Sequence, residues 1–185
     1  MSLFSTWAKR SAGNEALGKS AAGFILLALS YPLPQLEWFE KPDPHSGEAG
    51  LRFQCTMCGN CCSGPEGYVL VDDSEAAAFA AHLGISVPEF IERYTRMTSA
   101  GRSLIEKTTS FGLDCVFLDR EKIPGKAVCG LYELRPRQCR TWPFWKSLLV
   151  SRKRWELAGR MCPGIGKGPL FDPAEIARRR DTVDI

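Results

Sequence analysis

A small, loop-rich α+β fold is what the sequence predicts, on three observations. The chain has 185 residues, 44% hydrophobic and 24% charged, the length and composition of one ordinary globular domain. Its apolar stretches are short and separated by capping and turn patterns, so neither a large sheet nor a long helical bundle is written into them. Seventeen Gly, twelve Pro and eight Cys leave stretches that no regular element fits, and the fold is expected to be organised around those cysteines.

Taken in order, residues 1–50 read as an N-terminal extension, a helical pattern followed by a linker rich in Pro32, Pro34, Pro42 and Pro44. The apolar run 21–29 falls far short of the ~20 residues of a spanning helix, so no transmembrane segment is expected. The run has the look of the apolar part of a secretory signal; a buried helix stopped by Pro32 and Pro34 is the favoured reading. Residues 51–165 form the cysteine-bearing domain and 166–185 a C-terminal helical tail. Residues 68–71 read as a strand. Asp72 and Glu75 make a capping box for a helix from Ala76 to Leu83, closed by Gly84. Ser86 and Glu89, with Pro88 in the first turn, open a second helix through about Met97. Residues 103–108 and 115–118 are expected to be short strands, with a turn at Pro124-Gly125 leading to Val128-Cys129. Residues 135–145, interrupted by Pro136 and Pro143, should be irregular or broken helix, and Trp155 lies in a short element. Asp172, Pro173 and Glu175 cap a last helix through about Arg180.

The cysteines are Cys55, Cys58, Cys61, Cys62, Cys115, Cys129, Cys139 and Cys162, the first four spaced C-x-x-C-x-x-C-C. Thiols at steps of three let one tight turn aim several sulfurs at a common point, with Gly59 and Asn60 supplying permissive backbone. Thiolates are soft ligands that suit zinc or an iron–sulfur cluster. A single C-x-x-C would say little, but four Cys in eight residues with four more downstream is a specific signal. Neither His45 nor His82 lies near a cysteine in sequence, so all eight Cys are candidate ligands of an all-thiolate shell. The expected fold is thus α+β, organised around a cysteine-metal cluster. The C-x-x-C-x-x-C run resembles the first three ligands of a bacterial-type iron–sulfur site, whose fourth Cys precedes Pro. Cys162-Pro163 could supply that pair from far along the chain. Eight Cys divide equally well into two Cys₄ zinc sites, so both cofactors stay open. Four disulfides would need an oxidising compartment; a reduced, cytoplasmic protein is expected instead.

Charge is uneven along the chain. Residues 135–167 hold nine basic groups (Arg135, Arg137, Arg140, Lys146, Arg152, Lys153, Arg154, Arg160, Lys167) against Glu156 alone. Arg135, Arg137 and Arg140 flank Cys139 and are candidates to bind the cofactor, donating to sulfur and offsetting thiolate charge. The same basic face could receive a protein or anionic partner. It lacks the basic–aromatic interleaving of a nucleic-acid binder. Tyr132, Trp142, Phe144 and Trp145 are expected in the core. No dinucleotide fingerprint, P-loop or Ser/His/Asp set is present. The expected function is metal binding in a structural or redox/electron-transfer role. The alternative is a cluster-dependent enzyme of the methyl- or electron-transfer type, acting on an anionic or protein substrate.

These residues resemble a known family, the YkgJ-like cysteine-cluster proteins described as zinc- or iron-chelating domains. The resemblance rests on Cys55-x-x-Cys58-Gly59-x-Cys61-Cys62, on Cys115-Val116-Phe117-Leu118, on Cys129-x-x-Tyr132-Glu133-x-Arg135-Pro136-x-x-Cys139-Arg140-x-x-Pro143, and on Cys162. It spans about residues 51–165 and fills all eight cysteine positions. It implies a metal-chelating module. A similar cluster in flagellin lysine methylases looks like an iron–sulfur site, but the resemblance implies no substrate for this chain.

Overall fold

The computed structural model describes residues 36–185. The expected helix before Pro32 and the signal-like run 21–29 lie outside the described residues. Within them the chain runs β1 (Leu51–Phe53), β2 (Ser63–Gly64), α1 (Asp73–Leu83), α2 (Val87–Tyr94), β3 (Thr95–Thr98), β4 (Gly101–Leu104), β5 (Glu106–Thr109), β6 (Gly112–Cys115), β7 (Leu118–Asp119), β8 (Val128–Cys129), α3 (Arg137–Thr141), α4 (Lys146–Leu149), α5 (Arg152–Met161), β9 (Ile165–Phe171) and α6 (Pro173–Thr182). A short 3₁₀ turn, Trp38–Glu40, precedes β1, and two more, Asn60–Cys62 and Tyr132–Leu134, lie between later elements. The fold is the small, loop-rich mixture of helices and sheets expected.

Local capping places the helices. The Asp72 carboxylate accepts from Glu75 N at 2.8 Å, and the Glu75 carboxylate accepts from Asp72 N at 3.2 Å, so two end donors of α1 are answered reciprocally. Gly84, at φ +68°, closes α1 in the left-handed conformation. Ser86 Oγ accepts from Glu89 N at the start of α2, and Asp172 does the same for Glu175 at the start of α6.

α2 ends at Tyr94 instead of reaching Met97. Thr95 turns extended, and its hydroxyl donates to Ile91 O at 2.7 Å. The β-branched Thr95 and Thr98 then suit strand β3. The expected strand 103–108 is divided at Ile105, whose N–H donates to Tyr94 O at 2.9 Å beside β3 while its carbonyl accepts from Val116 N at 3.1 Å beyond β6. The expected strand 115–118 turns at Val116 and Phe117. Residues 68–71 are extended but bridge to β4 only at Leu70–Ser103, because Leu70 N is taken by the Gln138 side chain and Val69 N by Ser103 Oγ. β9 was unexpected. Its sequence carries Gly166 and Gly168 at positive φ, and its pairing with β1 shifts register between Arg52 and Phe53, so the period-two pattern of a regular strand is missing.

Among the described residues four small antiparallel sheets result: β1–β9, β2–β6–β5, β3–β4 and β7–β8. Two hydrophobic clusters back them. One joins Val71, Ala76, Phe79, Ala80, Phe90, Leu104 and Leu131; the other joins Phe39, Leu51, Phe144, Leu149, Trp155 and Ile176. Among the described residues, no helix is long and apolar enough to cross a membrane.

Candidate metal centre

The cysteine-rich loop is held by partners far from it in sequence. Gly59 adopts φ +79° and starts the 3₁₀ turn Asn60–Cys62. A Cβ there would lie 2.7 Å from the Ala127 Cβ and 3.3 Å from an Arg120 Nη, so both backbone conformation and close packing require glycine. Asn60 does not take a left-handed conformation; its amide instead donates to Met161 O at 2.6 Å. Met57 takes that conformation, at φ +55°, a cost for a side-chain-bearing residue. Its carbonyl accepts from Ala127 N at 2.8 Å.

Beneath the loop, Arg120 grips Asp114 with two hydrogen bonds, Nε–Oδ2 at 2.8 Å and Nη2–Oδ1 at 3.1 Å. Arg120 also donates to Ser63 Oγ at 2.6 Å, and Ser63 Oγ donates to Gly59 O at 3.1 Å. The guanidinium lies over the Phe111 ring at 4.0 Å. Asp114 is only 1% exposed. The hydrogen bonds from Arg120 hold its carboxyl down to about 2, and the pairing raises Arg120 in turn. The sequence reading missed this chain of contacts. Its one visible signal is an acid in a short strand, directly before Cys115, which would need a cation if buried.

Six of the eight sulfur residues share one cavity of about 210 Å³: Cys55, Cys61, Cys62, Cys115, Cys129 and Cys139. Its apolar wall draws on the first hydrophobic cluster through Leu104 and Leu131, and on the flank of the second through Phe53 and Phe171. Cys58 and Cys162 are not on that wall. Cys162 is buried at the end of α5, where its N–H donates to Ala158 O. All eight are free thiols. Only Cys61 and Cys62 touch, sulfur to sulfur at 3.6 Å. Among the described residues, no three His, Cys, Asp or Glu side chains are grouped closely enough to hold one ion as they stand.

The contact between Cys61 and Cys62 splits their acidities. The shared hydrogen bond holds Cys61 down to about 7 and pushes Cys62 up. Burial pushes Cys115 up to about 11, and it also raises Cys129 and Cys139. A cation bound among these sulfurs would reverse that effect, since a coordinated thiol is deprotonated.

The three candidate arginines part company. Arg135 and Arg140 line the cavity. Arg135 lies 4.2 Å from the Tyr132 ring centroid, donates to the Tyr132 carbonyl, and lowers Cys61 through its charge. Arg137 is bound by Asp72 and Glu75 instead and is absent from the cavity wall. Elsewhere in the basic stretch, Arg152 pairs with Asp43 and Lys146 with Asp184. Among the described residues, Arg135, Arg140, Lys153, Arg154, Arg160 and Lys167 form no ion pair.

The donor set fits a thiophilic metal: soft, reduced sulfurs on one wall and cationic arginines beside them. One orphaned atom on the cavity wall supports the fit. Among the described residues, the buried side-chain polar atoms without a hydrogen-bond partner are Thr56 Oγ1 and Trp142 Nε1. Trp142 lines the cavity, whereas Thr56, next to Cys55 in sequence, is not on its wall.

No solved structure matches the chain. The family model CxxCxxCC, described as "putative zinc- or iron-chelating domain", matches residues 54–163, more than half of the sequence. The match takes in all eight cysteines, and the chain belongs to this CxxCxxCC family.

Proposed function

We propose that the protein binds zinc or an iron–sulfur cluster through its cysteines, in a structural or electron-transfer role. The observation that carries this reading is the cavity on which six free thiols stand together. Cys58 and Cys162 lie off that wall, so their part is a second or completing ligand role reached when the loop closes on the ion. Arg135 and Arg140 offset the charge of the thiolates, a function that proximity to the cavity supports. Thiol ligands stay reduced in the cytoplasm, which is the compartment this reading assigns.

The same cavity favours a second reading. A pocket beside Arg135 and Arg140, with no carboxylate paired to either among the described residues, would suit an enzyme acting on an anionic or protein substrate.

The test is anaerobic purification followed by metal and acid-labile sulfide analysis and an absorption spectrum. Iron with sulfide and a brown colour identifies a cluster; stoichiometric zinc in a colourless protein identifies zinc. Cys139→Ser is expected to lose metal and melt lower, because bound metal contributes folding free energy. Wild-type protein free of both metals, with all thiols reduced, would overturn the reading.

A further inference from the structure

We propose that the indole N–H of Trp142 donates a hydrogen bond to a metal-bound sulfur at the cysteine site. This rests on the metal-binding reading above and adds a residue that the cysteine pattern does not contain.

Among the described residues the buried Trp142 Nε1 has no acceptor, and such an atom costs stability unless something answers it. The protein answers comparable indoles elsewhere: Trp38 Nε1 donates to Leu149 O at 2.6 Å, and Trp145 Nε1 to Gln138 O at 3.0 Å. The Trp142 ring also packs edge-on against Trp145, with centroids 4.7 Å apart.

The surroundings narrow the acceptor. Trp142 lies on the walls of two cavities, the thiol-lined one and a second of about 380 Å³ bounded by Tyr68, Trp145 and Ile185. The other side chains common to both walls are Val69, Cys61 and Cys139. Cys61 and Cys139 are thus the polar residues that reach both walls, and Gln138 on the second is already bonded to Leu70 N and Tyr68 O. A neutral thiol is a weak acceptor, whereas a thiolate or sulfide on a metal is charged and a stronger one. The donor thus matches the loaded site.

The test is Trp142→Phe, which keeps an aromatic ring and removes the donor. Metal content of the wild type is measured first. A metal-free wild type removes the underlying reading, and this proposal with it. With metal present, Trp142→Phe is expected to hold metal about tenfold or more weakly in chelator competition, the usual cost of a lost outer partner. Its melting temperature should fall in the metal-loaded form and not in the stripped form. An equal fall in both forms, or unchanged metal affinity, would overturn the proposal, since pure packing acts on both. A measurement without substitution guards against misfolding. In metal-loaded wild type with ¹⁵N-labelled tryptophan, the Trp142 indole proton should be protected from exchange and lie downfield. A freely exchanging Trp142 proton would overturn the assignment.

Discussion

The α1–α2 hairpin and the loop 55–62 answer their polar groups in opposite ways. In the hairpin, each helix starts on its own side-chain cap, and Gly84 closes the first. Its inward face buries Ala76, Phe79, Ala80 and Phe90 completely, and Phe90 stacks on Tyr94 at 5.5 Å and on Phe117 at 6.4 Å. The loop buries only Gly59. It carries a left-handed Met57 and an orphaned Thr56 hydroxyl, and it is tied down by Ala127, Met161 and the Arg120–Ser63 link. The hairpin is thus capped and closed by its own residues, while its buried face packs on Leu104, Leu131 and Phe117 from elsewhere. The loop is a docked part whose geometry is supplied by other segments and completed by its ligand.

The largest expected effect breaks the hairpin. Phe90→Ala removes a ring with 0% exposure and should cost about 3–5 kcal/mol. The loss should appear equally in metal-loaded and stripped protein by denaturant unfolding. A loss confined to the loaded form would mean that the hairpin is not independent of the site. Next comes the clamp under the loop. Arg120→Gln leaves the Asp114 charge buried without its partner and should cost about 2–3 kcal/mol. Unlike Phe90→Ala, it should also weaken metal retention, because Arg120 holds Ser63, which in turn holds Gly59. The same pair sets an acid dependence. Asp114 is lowered from 3.8 to about 2, so its contribution is full above about pH 4 and is lost as pH falls toward 2. Arg120→Gln should flatten that step in stability measured between pH 4 and pH 2. An unchanged acid profile would show that Asp114 does not depend on Arg120.

What was legible in the sequence follows the same division. The α1, α2 and α6 starts could be read because a cap joins residues three apart, and Asp72, Ser86 and Asp172 each find their acceptor role within that span. The end of α2 could not, because Thr95 leaves the helix to pair with Leu104. β9 was hidden by Gly166 and Gly168, which erase the alternation that marks a strand. At the site, the residue type was legible and the partition was not. Spacing announces thiol ligands, but which sulfurs share a wall is decided by where β6, β8 and α3 bring Cys115, Cys129 and Cys139. Trp142 was expected simply in the core. Its ring bears that out in part, while its N–H does not behave as a satisfied core donor.

The smallest effect sharpens the boundary between the two regions. Asp72 caps α1 and also binds Arg137, at the first position of the helix that carries Cys139. Asp72→Ala should cost about 1 kcal/mol, the worth of a cap. The ion pair adds little, since Arg137 is 48% exposed and Asp72 40%. Glu75 still holds Arg137, its carboxylate accepting from the Arg137 backbone N–H at 2.7 Å, so α3 keeps its anchor. The expected result is a melting temperature lowered by about 2–4 °C with metal affinity unchanged. A parallel loss of metal would place Arg137 in the service of the site after all. Its attachment to α1 would then be the route by which the hairpin holds Cys139 in position.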